Sequence, residues 1–100
     1  MTAPISIVVV STALPGQGNA LRDAQKTLVA ETLREPGCLR YELHQSVEDA
    51  DVLMFIESWE SEEALQTHLQ GPAVTRFRAS NAASLRKDFK FYRMKPVAAD

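Results

Sequence analysis

The chain has little of three features that define common protein classes. It has one cysteine, Cys38, which excludes an internal disulfide and lacks the paired spacing of a zinc or iron–sulfur site. It has no apolar run near the roughly 18 residues of a transmembrane helix, and its start, MTAPISIVVV, has no basic segment of the kind that opens a secretion signal. The net charge is only −2, which gives no electrostatic attraction to nucleic acid or to an anionic membrane. We therefore expect a cytoplasmic protein that has neither as a partner.

What the chain does have is an ordinary globular composition in a short length. Hydrophobic residues make up 45% of its 100 residues, which favours a folded domain over a disordered segment. This length suits a single domain with a thin core. We predict one domain over residues 1–100, with a loose tail over residues 95–100.

The polarity pattern predicts six main elements in the order β-α-β-β-α-β. Period-two or β-branched runs indicate strands, and three-to-four-residue spacing of apolar residues indicates helices. The strands are predicted near residues 4–13, 38–47, 52–60 and 85–94, and the helices near residues 19–34 and 61–70, with a further short helix after Gly71-Pro72 that carries Val74, Phe77 and Ala82. This order is typical of an α+β, ferredoxin-like fold with an antiparallel sheet.

Two of the predicted strands are apolar on both faces. On the first strand Ile7 and Val9 alternate with Val8 and Val10. The third strand has apolar residues on both faces in the same way, with Val52, Met54 and Ile56 on one and Leu53 and Phe55 on the other. Helices in this architecture cover only one sheet face, and a solvated second face would be polar. The sequence therefore predicts a homodimer that packs sheet against sheet; the alternative is that the helices wrap more of the sheet.

Two titratable residues are placed where they can carry chemistry. Glu57 is in mid-strand between Phe55 and Trp59 on one face, where burial raises the pKa of a carboxyl group toward the range of a general acid or base. The alternative is a solvated or purely anchoring Glu57. His68 shares a helix face with Leu65 that is directed at the sheet, where it is either a core residue or a pocket residue. No second histidine lies at metal-ligand spacing, so no metal site is expected.

Aromatic residues supply the remaining candidates for a ligand pocket. Tyr41 and Trp59 can stack on a planar ligand and donate a hydrogen bond to it, or they can simply fill the core. Phe77 is expected to close the pocket. Cys38 has no cation placed to activate it, so a structural role is expected. Basic residues near the C-terminus are read as a solvated strand face, with anion binding as the alternative: Arg86, Lys87, Lys90 and Arg93.

Two motifs resemble the antibiotic biosynthesis monooxygenase family. The run EPGCLRYEL at residues 35–43 is similar to that family's opening of the second strand, and FIESWESEEALQTH at residues 55–68 is similar to its third strand and following helix. The resemblance implies a dimeric α+β barrel and moves His68 from core to pocket. It also implies oxidation without flavin, haem or metal, because the substrate itself supplies the electrons.

The family contains several activities, and the residues separate some of them. The haem-degrading branch pairs a first-strand asparagine with a tryptophan and a later helical histidine. Here the first strand has no asparagine, and the histidine position falls near Phe77 or Arg78, which argues against haem degradation. The prediction is a cofactor-free monooxygenase of a small electron-rich aromatic, such as a quinol or polyphenol, with Glu57 and His68 catalytic and Tyr41, Trp59 and Phe77 holding the substrate. A non-oxidative isomerase or a small-ligand-binding stress protein is the alternative.

Overall fold

The computed structural model describes residues 3–98. In chain order the elements are β1 Ile5–Ala13, α1 Gly18–Thr32, β2 Cys38–Gln45, β3 Val52–Trp59, α2 Glu62–Leu69, α3 Pro72–Ala79, a 3₁₀ segment Asn81–Leu85 and β4 Arg86–Met94. The sheet has the strand order β2-β3-β1-β4, and all three neighbouring pairs are antiparallel. This is the split βαβ arrangement, so the predicted ferredoxin-like α+β fold is confirmed.

The central strands have one buried face and one open face, although their sequences are apolar on both. Along β3 every second side chain is buried, from Leu53 through Phe55 to Trp59. Ile7 and Val9 on β1 join them, and α1, α2 and α3 add the rest of the core: Leu28, Leu65, Ala73 and Val74. The helices therefore cover only this face, and the opposite face of the sheet remains partly exposed.

Local signals in the sequence explain where the helices begin. Ser61 accepts a hydrogen bond from the backbone N–H of Ala64 at 3.1 Å, which satisfies one of the free donors in the first turn of α2. Pro72 lies at the start of α3, where its missing N–H and restricted φ are harmless. The first turn of α1 depends on a distant residue instead. The carboxylate of Asp51 accepts from the N–H of Gly18 at 2.8 Å and of Gly16 at 3.0 Å.

A β-bulge in β2 corrects one prediction about strand faces. Simple alternation puts Leu39 on the same face as Tyr41. In the structure Cys38 pairs with Trp59 and Tyr41 pairs with Glu57, and the register shifts between Cys38 and Arg40. The extra residue is Leu39, which is 58% exposed. The bulge therefore lets Cys38 and Tyr41 both reach the buried side.

The C-terminal part of the chain agrees with the predicted strand and differs in one detail. On β4 the partly buried Phe91 packs against the core, and Phe89 pairs with Ser11. Ala82, predicted as an apolar position of the short helix, lies in the 3₁₀ segment after it. Residues 95–98 form neither helix nor strand, and the last two residues of the predicted tail, 99 and 100, lie outside the described residues. Within residues 3–98 no helix has the length and apolar character needed to cross a membrane.

Candidate active site

A cavity of about 340 Å³ lies between the helices and the covered face of the sheet. This volume is within the ordinary range of small-molecule sites. Apolar side chains form most of the wall: Val9, Leu28, Phe55, Leu69, Val74, Phe77, Phe89 and Phe91. The polar groups in the wall come from six residues: Gln25, Tyr41, Glu57, His68, Arg78 and Arg86.

Glu57 is a buried acid in the cavity wall, held by β3 between two aromatic neighbours. Only 4% of its surface is exposed. The indole N–H of Trp59 donates to its Oε1 at 3.0 Å. Burial raises the pKa of Glu57 to about 7, against the opposing effect of the Trp59 hydrogen bond and with a further increase from the charge of Glu35. Near neutral pH the carboxyl group is therefore present in both protonation states.

The carboxylate that orients His68 comes from a residue outside its helix, α2. Its Nδ1 lies 2.7 Å from Oε1 of Glu35, in the turn between α1 and β2. Burial lowers the pKa of His68, although the Glu35 hydrogen bond acts in the opposite direction. The neutral ring donates through Nδ1–H, because an ionised carboxylate only accepts. Nε2 is then left as an acceptor on a ring that lines the cavity.

The two predicted aromatic residues have different positions. Tyr41 lines the cavity, and its ring meets His68 edge-on with centroids 5.5 Å apart. Burial raises the pKa of the Tyr41 hydroxyl, so it remains a neutral donor. Trp59 is fully buried, outside the wall formed by residues 3–98, and its ring lies 4.5 Å from that of His68 between centroids. Trp59 therefore contacts Glu57 and His68 without itself bordering the cavity.

Of the predicted site residues, Tyr41, Glu57, His68 and Phe77 all border the one cavity. Phe77 lies under the guanidinium of Arg86, with 5.3 Å between the central carbon and the ring centroid. Arg86 itself was expected on a solvated face, but it is half-buried and lines the cavity. The bulge between Thr12 and Ala13, at the start of its pairing with β1, turns it inward.

Sequence reasoning did not find Gln25 or Glu35. Gln25 is fully buried in α1, and its Nε2 donates weakly to Oγ of Ser11 at 3.4 Å. Its Oε1 has no hydrogen-bond partner within residues 3–98. Its spacing from Leu21 and Leu28 is helical, so the inner face of α1 could have revealed it. Glu35 was read as part of a helix stop, and no spacing signal connects it with a histidine 33 positions later.

Two other groups could carry chemistry, the thiol of Cys38 and a set of metal-ligating side chains. Cys38 is half-buried in the core, and burial raises the pKa of its thiol, which makes it a poor nucleophile. Within residues 3–98 no three histidine, cysteine or acidic side chains come together as a metal site would require.

The fold and the cavity define a class of small α+β domains with a cavity between the sheet and the helices. The family model of antibiotic biosynthesis monooxygenases matches residues 4–80. The chain therefore belongs to the antibiotic biosynthesis monooxygenase family.

Individual relatives agree with this assignment. The structure of PA3566 from Pseudomonas aeruginosa has a TM-score of 0.90 to this chain, with 33% identity over 98% of both chains. Rv0793 of Mycobacterium tuberculosis, named as a candidate monooxygenase, is 29% identical over 79 residues, which are 79% of this chain and 77% of that protein. Its solved structure has a TM-score of 0.86 at 24% identity over 96% and 97% of the two chains, a likeness of fold.

Proposed function

We propose that this protein is a cofactor-independent monooxygenase that oxidises a small electron-rich aromatic such as a quinol or polyphenol. The observation that carries the proposal is the histidine–carboxylate pair, His68 with Glu35, in a cavity that also contains the buried acid Glu57. A base oriented by a carboxylate is the usual arrangement for taking a proton from a hydroxyl group. The apolar walls suit an aromatic ring.

The first step is removal of a phenolic proton. Nε2 of His68 takes the proton, and Glu35 stabilises the imidazolium that forms through Nδ1–H. Tyr41 donates a hydrogen bond to the resulting phenolate. The amide of Gln25, whose Oε1 lacks a partner, accepts from a second ligand hydroxyl. These contacts hold the ring in one orientation.

The substrate anion then supplies the electrons. It transfers one electron to dioxygen, and the two radicals combine to form a bond between a ring carbon and oxygen. The peroxide anion formed in this way gains a proton from the acid form of Glu57 and becomes a hydroperoxide. Loss of water then breaks the O–O bond and leaves a new carbonyl on the ring. A dihydroxynaphthalene and one dioxygen thus become a hydroxynaphthoquinone and one water. The apolar side chains of the wall limit the access of water to the anion and the hydroperoxide.

Oxygen consumption tests this proposal. A panel of quinols is incubated with the protein in an oxygen electrode, with isotope-labelled dioxygen for mass analysis of the product. We expect incorporation of one labelled oxygen, and a fall of about 10²-fold or more in His68→Gln because the base is lost. Glu48→Gln, an exposed change outside the cavity wall, is the control and keeps the activity. Consumption no faster than without protein for every quinol contradicts the proposal.

The same groups favour one second candidate. A neutral histidine beside a protonated carboxyl group can also move a proton between two carbons of a carbonyl compound, which is an isomerase reaction. Turnover that continues without dioxygen identifies the isomerase. Ligand-dependent stabilisation without any product identifies a binding protein.

We also propose that the working unit is a homodimer through the open sheet face. The centre of this face is apolar: Val8 pairs with Ile56, and Val10 pairs with Met54. All four side chains are only partly buried in the single chain. A second copy would remove this surface from water.

A further inference from the structure

The cavity contains two arginines, Arg86 and Arg78, and the first of them lies away from the proposed chemistry. Arg86 opens β4, and its guanidinium lies over the ring of Phe89 at 4.6 Å as well as over Phe77. Arg78 comes from α3 and lines the same cavity. The cavity therefore has two cationic groups in addition to its acid and its histidine.

Neither arginine has a carboxylate partner among residues 3–98. Four other arginines do, with Arg22, Arg40, Arg76 and Arg93 each paired to an aspartate or glutamate. Arg78 makes one long bond, from its NH1 to the carbonyl of Leu69 at 3.5 Å. Arg86 is half-buried, so part of its hydration is already lost, and the charge of Arg78 adds repulsion. The half-buried guanidinium of Arg86, with the charge of the exposed Arg78 beside it, would therefore be stabilised by a bound anion.

The sheet register separates Arg86 from Glu57, whereas Arg78, on α3, lies between Arg86 and His68 and its charge acts on both. Glu57 pairs with Ile7 of β1, whereas Arg86 pairs with Ala13. These positions are roughly 20 Å apart along the strand at about 3.3 Å per residue. Both side chains reach into the cavity between them, where Val9, Phe55 and Phe91 form apolar walls. A ligand that spans the cavity thus meets proton-transfer groups at one end and positive charge at the other.

We infer that the substrate is an aromatic acid, with a carboxylate at the end opposite its oxidised ring, and that Arg86 binds this carboxylate while Arg78 adds positive charge beside it. The inference rests on the proposed function for the identity of the oxidised end. Arginine is suited to the role because its planar fork matches a carboxylate with two parallel hydrogen bonds. The stack on Phe77 and Phe89 holds the guanidinium of Arg86 in place before the ligand arrives.

The test is a binding measurement that needs no turnover. A hydroxynaphthoic acid with hydroxyl and carboxyl groups at opposite ends is compared with its neutral carboxamide by titration calorimetry without dioxygen. We expect the acid to bind at least about tenfold more tightly, which corresponds to 1.4 kcal/mol. Arg86→Met should remove this preference. Lys87→Met, an exposed neighbour outside the cavity wall with the same loss of charge, should keep it.

A second variant keeps the inference testable if Arg86→Met does not fold. Arg78→Met removes an exposed side chain and should reduce the preference severalfold. Equal affinity for acid and carboxamide in the wild type overturns the inference, and so does an equal loss of preference in Lys87→Met.

The measurements distinguish a failure of this inference from a failure of the proposed function. An arginine-dependent preference without oxygen consumption by any quinol leaves the anion site standing, and quinol oxidation without the preference leaves the oxidation standing.

Discussion

Glu57 shows, at the scale of one residue, how a buried acid in the cavity wall lowers the free energy of unfolding as pH rises. Its pKa is about 7 in the folded chain and 4.5 in the unfolded reference. Between these values the folded chain binds more protons than the unfolded chain, so this residue makes the protein less stable as pH rises. A perturbed acid that faces a cavity is typical of a functional position.

A pH series on Glu57→Gln measures this effect. The amide does not titrate, and its oxygen still accepts from the indole N–H of Trp59. We expect the free energy of unfolding of the wild type to fall by roughly 3 kcal/mol relative to Glu57→Gln between about pH 4 and pH 8. Urea denaturation of both proteins at each pH gives the difference. A difference that stays constant with pH, or grows in the opposite direction, contradicts a raised pKa.

The same residue predicts the shape of the activity profile. If the acid form of Glu57 supplies a proton, kcat/KM for a neutral quinol falls above about pH 7, after subtraction of the uncatalysed oxidation. We expect Glu57→Gln to be slower by about 10²-fold or more and to lack this descending limb. Glu60→Gln, an exposed residue just beyond β3, should keep both the rate and the limb.

Residue-level prediction from the sequence worked where one element contained the whole signal. Glu57 stands out because its strand neighbours are Phe55 and Trp59, and His68 because it shares a helix face with Leu65. Both line the cavity. The position of Arg86 is set by its pairing with Ala13 on β1, and Glu35 contacts a histidine 33 positions later. No local pattern reveals such a pairing.

At the scale of an element, α1 shows that a side chain from outside a helix can accept hydrogen bonds from the free N–H groups at its start. Its N-cap residue, Gln17, makes no side-chain capping bond. Instead, the carboxylate of Asp51, directly before β3, accepts hydrogen bonds from the N–H groups of Gly16 and Gly18. From sequence, Asp51 was only part of an acidic turn. This bond connects the first helix to the β2–β3 hairpin.

Asp51→Ala tests the importance of this connection. We expect a loss of about 2 kcal/mol in the free energy of unfolding, because two backbone donors lose a charged acceptor. Glu48→Ala, an exposed acid in the same turn, should change stability by less than about 0.5 kcal/mol. Thermal and urea unfolding of the three proteins give the comparison. Equal stability of the two variants means that the Asp51 bonds contribute nothing beyond surface charge.

The helices and strands were predicted well, because the spacing of apolar residues that identifies each one lies within a single short segment. Alternation along β3 placed Leu53, Phe55, Glu57 and Trp59 on one face, and Ser61 and Pro72 marked the two helix starts. The bulge at Leu39 was not predictable in this way, since β2 looks regular in the sequence. The extra residue is visible only when β2 is paired with β3.

For the whole molecule, the open sheet face determines the expected assembly. Its apolar centre lies beside a polar edge on β2, where Glu42 contacts both Arg40 and His44. The centre is Val8, Val10, Met54 and Ile56. A mixed face of this kind can bury its apolar part against a second copy while its charged edge remains in water.

Sedimentation of variants on this face tests the homodimer. We expect the wild type to sediment as a dimer at micromolar concentration and Ile56→Lys to sediment as a monomer, because a charge at the centre of the interface loses its hydration. Val47→Lys, in a loop position that is 98% exposed, should remain dimeric. A wild type that is monomeric throughout contradicts the sheet-to-sheet assembly.

The bulge in β2 also determines where this chain tolerates a change in length. Deleting one residue elsewhere in a paired strand turns every later side chain to the opposite face. Leu39 is different, because Cys38 already pairs with Trp59 and Tyr41 with Glu57 as they would in a regular ladder without it. A chain shortened by this one residue keeps Tyr41 at the cavity and loses only an exposed leucine and a bend. A single-codon deletion at Leu39 is therefore expected to preserve the position of Tyr41 in the cavity wall.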